Sequence, residues 1–577
     1  MANSAPRLSN ATRYLCAGAY LDTAFRDRAI QELVDDRHRA VVPSHGGVDV
    51  GVVARHCLNA RGRLVVRDLL IFLALVIAVV VEPVLAVTTM VLMAPLAILA
   101  TAVQRARPAL RPMLTALAIG GMVLLALYLV VPLVATLIAT ASDPFGSPGD
   151  FDSPGFASAW IFSLLMLLAA AGVVVGYRVV VYRVLAGSLA PGGNATVPEA
   201  TGPDADRLEY VETAQWGNVT LYSNENPFIG AGNVQRAWSI AVELDRARDG
   251  SSGARDAREP RPEIRLDPLD LHDFVRTRLS QMRDEVAHPA ERIERLHPSD
   301  HVVAAGRFNQ VDWPTTRMRG RESGGEGPIH PLVNREGLLP VTNASPAAIR
   351  ALIRQPQGGV RYYQRVTVGA EMPPIYDETG APLAPGADQE ILVSAFIHLA
   401  VEGRMLYTQF VVTVLPPVRD EYHVVDLLPS LTPFWMGVEA LRSLRLSIFR
   451  DILGAPYRLI RHGVLLALRN VRYKNPAKYV LFDYGARVSV RELGAEREPW
   501  TYMQRLDSFK YTRLIEERLT EAVLDYLERH NVDTAAYRQQ AAGIIQAGTL
   551  ITGGTFHGPT AVGAAAQATA TTIRTPS

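Results

Sequence analysis

Apolar residues concentrate in three long blocks near the start of the chain, at 69–103, 113–141 and 160–186. A helix needs roughly 20 apolar residues to cross a bilayer, so the second and third blocks each fit one transmembrane span. The first block is too long for one comfortable span, and Glu82-Pro83 interrupts it. The pattern therefore predicts a membrane protein with three or four spans.

Arginines on both sides of the first block decide the number of spans: Arg61, Arg63 and Arg67 precede it, and Arg105, Arg107 and Arg111 follow it. The positive-inside rule places both groups in the cytoplasm, so the first block should cross twice. Three spans, the alternative, would leave one arginine group outside. We expect four spans in the cytoplasmic (inner) membrane, with both termini cytoplasmic: about 69–82, 84–103, 113–141 and 160–184.

Two features of the spans are candidates for function. Glu82 is either an intramembrane carboxylate for proton or ion coupling or a polar turn at the outer surface. Gly172 and Gly176 form a GxxxG element, which permits two helices to approach closely. Self-association into a homo-oligomer and chance spacing in a Gly/Ala-rich span are both open interpretations of this element.

Residues 1–68 are expected to form a cytoplasmic helical segment. The stretches 20–36 and 49–59 space their apolar residues as helices do. Residues 1–14 lack the apolar core of a signal peptide, so we expect the N-terminus to stay in the cytoplasm. His56-Cys57 has the side chains of a nucleophilic pair, but no third member stands at a recognisable spacing, so packing is the other interpretation.

Beyond a Gly/Pro linker at 187–204, the pattern predicts a cytoplasmic α+β domain over 205–430 with a mainly antiparallel sheet. Glu402-Gly403-Arg404 separates two runs of β-branched and aromatic residues, which predicts a hairpin over 390–418 that is covered on both faces. The same rules assign the other segments: strands at 208–213, 218–222, 237–244 and 360–368, a helix at 269–286 and a disordered insertion at 245–263.

Candidate metal ligands occur at two places in this domain. His272-Asp273 resembles the signature of metal-dependent phosphohydrolases of the HD type, although the further ligands of that family are not evident. His297 and His301 flank Asp300 at a spacing that would suit a metal on a helix, whereas the adjacent proline favours a loop. Packing or surface roles are the alternatives for each.

The segment 431–540 begins with a basic amphipathic helical pair at 433–470. Its arginines alternate with large apolar residues: Arg442, Arg445, Arg450, Arg458 and Arg461. Two interpretations are open: the pair lies on the anionic inner leaflet, or its apolar face caps the sheet. A short β element at 479–490 and a helix at 511–529 follow, and the helix is expected to end before the tail at 541–577.

Composition excludes several classes of protein. The formal net charge is +1, so acidic residues balance the basic ones and no nucleic-acid partner is expected. The basic residues are almost all arginine, as codon bias in a high-GC genome would produce. Cys16 and Cys57 are too few for a disulfide framework or thiolate cluster. No phosphate-loop, nucleophile-elbow or zinc-protease motif occurs, so we expect no cofactor and no metal.

The tail carries one charged side chain, Arg574, and mixes small, β-branched and glycine residues. Low charge and β propensity favour stacked cross-β segments. The run 551–563 resembles short amyloid-type signalling motifs at the ends of some bacterial immunity proteins, and it contains the candidate self-assembly residues: Thr555, Phe556, His557, Gly558 and Val562. The resemblance implies a protein partner with a matching motif. Plain disorder is the alternative.

The whole layout resembles uncharacterised multi-pass membrane proteins of high-GC actinobacteria, through the stretches RYLCAGAYLDTAF (13–25) and GNVTLYSNENPFIGAG (217–232). That resemblance implies an origin and no activity. The sequence favours a non-enzymatic, membrane-anchored signalling, sensing or scaffold protein with the lipid bilayer as a partner. The alternatives are a membrane-disrupting effector of a bacterial conflict or immunity system triggered by self-assembly, and a membrane-bound metal-dependent hydrolase.

Overall fold

The structure, a computed structural model, describes most of the chain. The described residues are 8–106, 109–142, 154–192, 196–200, 202–223, 225–247, 264–286, 292–309, 330–334, 337–372, 374–444, 447–472, 476, 481–499 and 501–546. Most of the predicted insertion and all of the tail from 547 onward, with its five candidate self-assembly residues, lie outside them.

Helices dominate the first third of the chain and alternate with strands afterwards. In chain order the helices are α1 Asn10–Leu21, α2 Thr23–Ile30, α3 Val50–Val81, α4 Pro83–Arg105, α5 Arg111–Ser142, α6 Pro154–Ser188, α7 Ala205–Ala214, α8 Pro268–Asp284, α9 Pro346–Arg354, α10 Val424–Leu427, α11 Pro433–Leu444, α12 Ser447–Arg472, α13 Val490–Leu493, α14 Tyr502–Arg529 and α15 Ala535–Gln546.

The strands are β1 Val219–Tyr222, β2 Asn233–Glu243, β3 Leu296–Ala305, β4 Arg307–Asn309, β5 Val360–Met372, β6 Ile375–Tyr376, β7 Pro382–Ala384, β8 Ala387–Glu402, β9 Met405–Leu415 and β10 Leu481–Asp483. Six of them form one mixed sheet in the order β1-β3-β5-β8-β9-β2. Only the β1–β3 pair of this sheet is parallel, and the other four pairs are antiparallel. The predicted α+β region with a mainly antiparallel sheet is therefore confirmed.

The chain divides into two compact units. The first comprises Met1–Asp27, Arg55–Glu199 and Glu421–Lys474, and the second comprises Arg28–Ala54, Ala200–Asp420 and Asn475–Ser577. The first unit contains the long apolar helices and the basic helix pair α11–α12. The second unit contains the sheet.

Four helices, which apart from the first turn of α3 lie in the first unit, are long and apolar enough to cross a membrane: Val50–Val81, Pro83–Val103, Arg111–Pro132 and Ala159–Ser188. The predicted break in the first apolar block is confirmed, because α3 ends at Val81 and α4 begins at Pro83. Glu82 between them has a non-helical backbone, and Pro83 suits the first turn of the next helix because its missing N–H has no partner there anyway. The predicted separate helix at 49–59 is wrong: those residues form the start of α3.

The block at 13–25 builds the N-terminal part of this unit. Gly18 of α1 lies against the ring of Tyr422, where an added Cβ would contact the ring carbons, and Tyr422 is fully buried. The Tyr422 hydroxyl donates to Asp22 Oδ2 at 3.0 Å, and Arg13 Nε donates to the Leu189 carbonyl at 2.8 Å. These contacts give the block a packing role.

The second unit has its main hydrophobic core between one face of the sheet and three helices. Leu271 and Val275 of α8, Leu519 of α14 and Tyr537 of α15 are fully buried there against strand residues such as Phe410. The predicted hairpin is confirmed: β8 pairs with β9 around a turn at 403–404, where both residues have positive φ, as the tight hairpin turns require. β5 pairs with β8, as predicted.

Three predictions for the second unit are wrong. Residues 208–213 are helical within α7, because Leu208, Val211 and Ala214 bury a face at helical spacing despite their β-branched neighbours. The closing helix α14 starts at Tyr502, before the expected 511. A further helix, α15, extends into the predicted tail as far as Gln546, because Tyr537 and Ala541 are buried in the main core.

Candidate functional site

The basic helix pair packs its inward face on the apolar helices of the first unit. Leu444 of α11 and Ile452 and Ala455 of α12 are buried in one cluster with Ile71 of α3 and Met93 of α4. The apolar face of the helix pair therefore packs on the long apolar helices. The alternative interpretation, in which this face caps the sheet, is wrong.

The same two helices leave large apolar side chains uncovered. Phe434 and Trp435 at the start of α11 are 72% and 57% exposed, and Tyr457 and Ile460 of α12 are 69% and 67% exposed. Aromatic side chains beside arginines, on helices attached to long apolar ones, are typical of a membrane–water interface, where one part of the side chain is in hydrocarbon and the other is wet.

The predicted membrane-surface arginines divide into two groups. Arg442 and Arg461 are exposed, and Arg450 is partly exposed with its Nε 3.9 Å from Asp451. Arg458 instead points inward to a buried carboxylate, so its prediction as a surface residue is wrong. Arg445 lies outside the described residues.

Asp68 is the centre of a buried ionic network that joins α3 to α12. Its side chain is 2% exposed, and Arg458 donates to both of its oxygens, from Nε at 2.7 Å and from NH2 at 2.9 Å. Arg67 also donates to Asp68, from Nε at 3.0 Å and from NH2 at 2.8 Å. A carboxylate that accepts four charge-assisted hydrogen bonds is well compensated for its loss of water.

Further polar contacts surround this network. Arg67 NH1 lies 3.6 Å from Asp451 Oδ2, and its guanidinium stacks 4.9 Å from the centre of the Tyr177 ring. Arg178 of α6 donates to the Ser443 hydroxyl of α11 at 3.2 Å. Two arginines at the inner ends of predicted spans therefore hold the helix pair. Charge alone suggested their side of the membrane, and nothing in the sequence indicated that Arg67 and Arg458 share Asp68 as an acceptor.

The predicted helix-packing glycines lie on an open side of α6. Within the described part of the chain, nothing comes within 4 Å of a Cβ placed on Gly172 or Gly176. The GxxxG element is not used for packing between the described helices of one chain, so this side of α6 is free for another helix.

Within the described residues, the structure does not bring the candidate metal ligands together. His272 is buried on α8, with Nε2 3.2 Å from the Leu399 carbonyl, whereas Asp273 is exposed on another side of the helix. His297 and His301 belong to strand β3, where four residues span about 13 Å, so the helical spacing and the predicted loop are both wrong. The described residues contain no group of three or more His, Cys, Asp or Glu side chains that could hold a metal ion.

The predicted pair His56-Cys57 is buried in the first unit. His56 Nδ1 lies 3.1 Å from the Tyr20 hydroxyl, and Cys57 is fully buried. This arrangement fits the packing interpretation, because a fully buried thiol is out of reach of a substrate.

The block at 217–232 crosses the sheet of the second unit and packs on it. The Glu492 carboxylate accepts hydrogen bonds from the backbone N–H groups of Gly230 and Gly232 at 2.8 and 2.9 Å, and Phe228 stacks 4.6 Å from Phe396. An added Cβ on Gly232 would contact the backbone of Val414, which explains the glycine there. These glycines close a loop over the sheet.

One comparison with known proteins found a similarity. A protein-family model described as AbeC-like domain matches residues 237–557, more than half of the chain. The matched region includes most of the sheet and the basic helix pair, and it includes none of the four apolar helices. No curated protein and no solved structure matched.

Proposed function

The chain belongs to the AbeC-like domain family, and from that premise we propose that it is a non-enzymatic, membrane-anchored signalling, sensing or scaffold protein. It crosses the cytoplasmic membrane four times with both termini inside, and its α+β unit binds a ligand or partner in the cytoplasm. The observation that carries this proposal is the basic helix pair, which is fixed to the apolar helices through Asp68 while its aromatic side chains stay exposed.

The surface of the first unit supports membrane insertion. Apolar side chains along α3, α4 and α5 are widely exposed, including Val80 at 75%, Val84 at 81% and Leu124 at 69%. Soluble proteins rarely expose contiguous apolar patches of this size, and lipid tails would cover them without cost.

The helix pair then has a defined position in the bilayer. Arg67 and Arg458 meet at Asp68, at the inner end of the first predicted span, so α12 lies at the level of the inner headgroups. The exposed Arg442 and Arg461 face anionic lipids there, each contributing about 1 kcal/mol. A second copy of this chain fits the open side of α6 at Gly172 and Gly176.

The test is a lipid-quenching experiment on the full-length protein in proteoliposomes that contain anionic and brominated lipids. W435C carries an environment-sensitive fluorophore, and W216C is the matched control because Trp216 is 59% exposed but belongs to the second unit. The native cysteines are buried and label slowly. We expect bromine to quench the label at 435 and to leave the label at 216 unchanged. An unquenched label at 435 would overturn the proposal.

A further inference from the structure

The face of the sheet opposite the main helical core carries polar side chains. Ser299 of β3 and Arg365 of β5 are direct neighbours in the strand register, and His301 follows two residues after Ser299 on the same face. A segment of the second unit covers them and contributes His45, whose ring lies 6.4 Å from that of His301. Four polar groups from three parts of the sequence therefore lie close together beneath this segment.

Two hydrogen bonds orient the Arg365 guanidinium. Its Nε donates to the Ser299 hydroxyl at 3.0 Å, and its NH1 donates to Nε2 of His45 at 2.7 Å. Because arginine cannot accept, Nε2 of His45 carries the lone pair and its proton is on Nδ1, on the side of the Pro43 carbonyl. Burial and the charge of Arg365 lower the pKa of His45 well below its usual value, so this imidazole is neutral.

His301 is a second neutral imidazole in the cluster. Its side chain is 1% exposed, and within the described residues neither ring nitrogen meets full hydrogen-bond geometry, although the Pro227 carbonyl lies beside the ring. Burial lowers its pKa to about 3, the charge of Arg365 adds to this, and the Pro227 carbonyl opposes it only in part. Its ring lies 5.0 Å from Phe396. A ring with this burial cannot be reached from solvent, so His301 forms the inner wall of the cluster and leaves ligand binding to Arg365 and Ser299.

Arg365 supplies the only formal charge of the four groups. Burial lowers its pKa to about 10, so it stays cationic at neutral pH. No carboxylate in the described part of the chain pairs with it, whereas the neighbouring buried Arg39 pairs with Asp36 at 2.7 Å. A largely buried cation without a counter-ion costs several kcal/mol, and an anionic ligand would remove that cost.

The ligand reaches the cluster from its solvent side. The cavity next to His45, lined mainly by residues 40–42, 44 and 488–491, has a volume of about 10 Å³, enough for one water molecule, and Arg365, Ser299 and His301 do not line it. Arg365 itself is partly exposed, and its NH2 group makes no hydrogen bond within the described residues. An anionic group can therefore reach the guanidinium from solvent while the body of the ligand stays outside.

We propose that Arg365 and Ser299 bind a phosphate group of a small-molecule ligand. Arg365 gives the charge and the planar fork that suit phosphate, while the Ser299 hydroxyl supplies a further donor. The site rests on the proposed function, because it names the class of ligand for the cytoplasmic unit. The phosphate experiment measures binding to the second unit, and the lipid-quenching experiment measures contact of the first unit with lipid. Failure of the phosphate site can therefore be distinguished from failure of the proposed function.

The probe is inorganic phosphate, added to the full-length protein in detergent at constant ionic strength with chloride as the replacing anion. Thermal unfolding is followed against phosphate concentration for the wild type, R365Q, R365K and the matched control R361Q. Arg361 lies on the same strand and face, but it is exposed. We expect phosphate to raise the wild-type unfolding midpoint and R361Q to respond alike. R365Q should bind on the order of 10-fold more weakly or worse, because a charged hydrogen-bond partner is lost.

R365K keeps the charge without the fork, so its affinity should fall between the wild type and R365Q. Line broadening of the phosphate ³¹P resonance by folded R365K gives the same ranking if R365Q does not fold. The proposal is overturned if phosphate leaves the wild type unchanged, or if R361Q loses the response as fully as R365Q, which would show an adventitious ion only.

Discussion

Replacing Asp68 by alanine removes the acceptor that joins α12 to the first apolar helix. Asp68 accepts two hydrogen bonds from Arg458 and two from Arg67 at 2.7–3.0 Å, and its side chain is 2% exposed. Without it, two guanidinium groups remain close together, and among the described residues Asp451 is the carboxylate left beside them. Both the hydrogen bonds and the charge balance of the network are lost.

The expected magnitude follows from the burial of the network. Removing one partner of a buried ion pair costs about 3–5 kcal/mol, and we take the lower end because Arg458 is 25% exposed and Asp451 remains. A loss of about 3 kcal/mol raises the population of molecules with α12 detached on the order of 100-fold. The aromatic residues of the helix pair would keep some attachment to lipid.

Limited trypsin digestion of the full-length protein in detergent measures this population. Cleavage at Arg461 of α12 follows the detached fraction when reattachment is faster than cleavage. The control is E421Q, because Glu421 is an exposed carboxylate of the same unit, so its effect should be under about 0.5 kcal/mol. Equal cleavage rates for D68A and the wild type would refute the reasoning, because the network would then not hold α12.

Two further predictions concern the second unit. E516Q should lower its free energy of unfolding by about 3 kcal/mol, because the buried Glu516 carboxylate accepts hydrogen bonds from Arg236 at 2.7 Å and Trp238 at 2.8 Å. The control is E517Q at the exposed neighbouring position, which should cost less than about 0.5 kcal/mol. Urea unfolding in detergent compares the two variants, and equal losses would contradict the role of Glu516. Burial lowers the pKa of His301 to about 3 from an ordinary 6.5, so the unfolded state binds more protons between these values and the free energy of unfolding falls as the pH drops below 6.5. The free energy of unfolding of H301Q, measured by urea titration, should depend less on pH than that of the wild type, by up to about 1.4 kcal/mol per pH unit. Identical pH profiles would refute the burial of a neutral imidazole.

Local patterns in the sequence were sufficient to predict several features of the fold. Four apolar helices and the break at Glu82-Pro83 follow from composition and from the steric demands of proline, which act within a few residues. The β8–β9 hairpin follows from two β-branched runs around a turn that favours positive φ. Neither needs information about distant parts of the chain.

Helix assignments failed where the deciding contacts were distant. The prediction placed residues 541–546 in a loose tail, yet Tyr537 and Ala541 are buried in the main core and stabilise α15. A marginal helix of this length depends on such packing, because its own hydrogen bonds barely offset the loss of backbone entropy.

Apolar, basic and β-forming segments can be identified from the amino-acid sequence alone, since each property belongs to neighbouring residues. The pairing of charges depends instead on the folded structure. Asp68 meets Arg458 across 390 positions of sequence, and Arg365 meets His45 across 320. Whether a buried charge has a counter-ion depends on the side chains that folding brings within hydrogen-bond distance, and the order of residues along the chain does not record that distance.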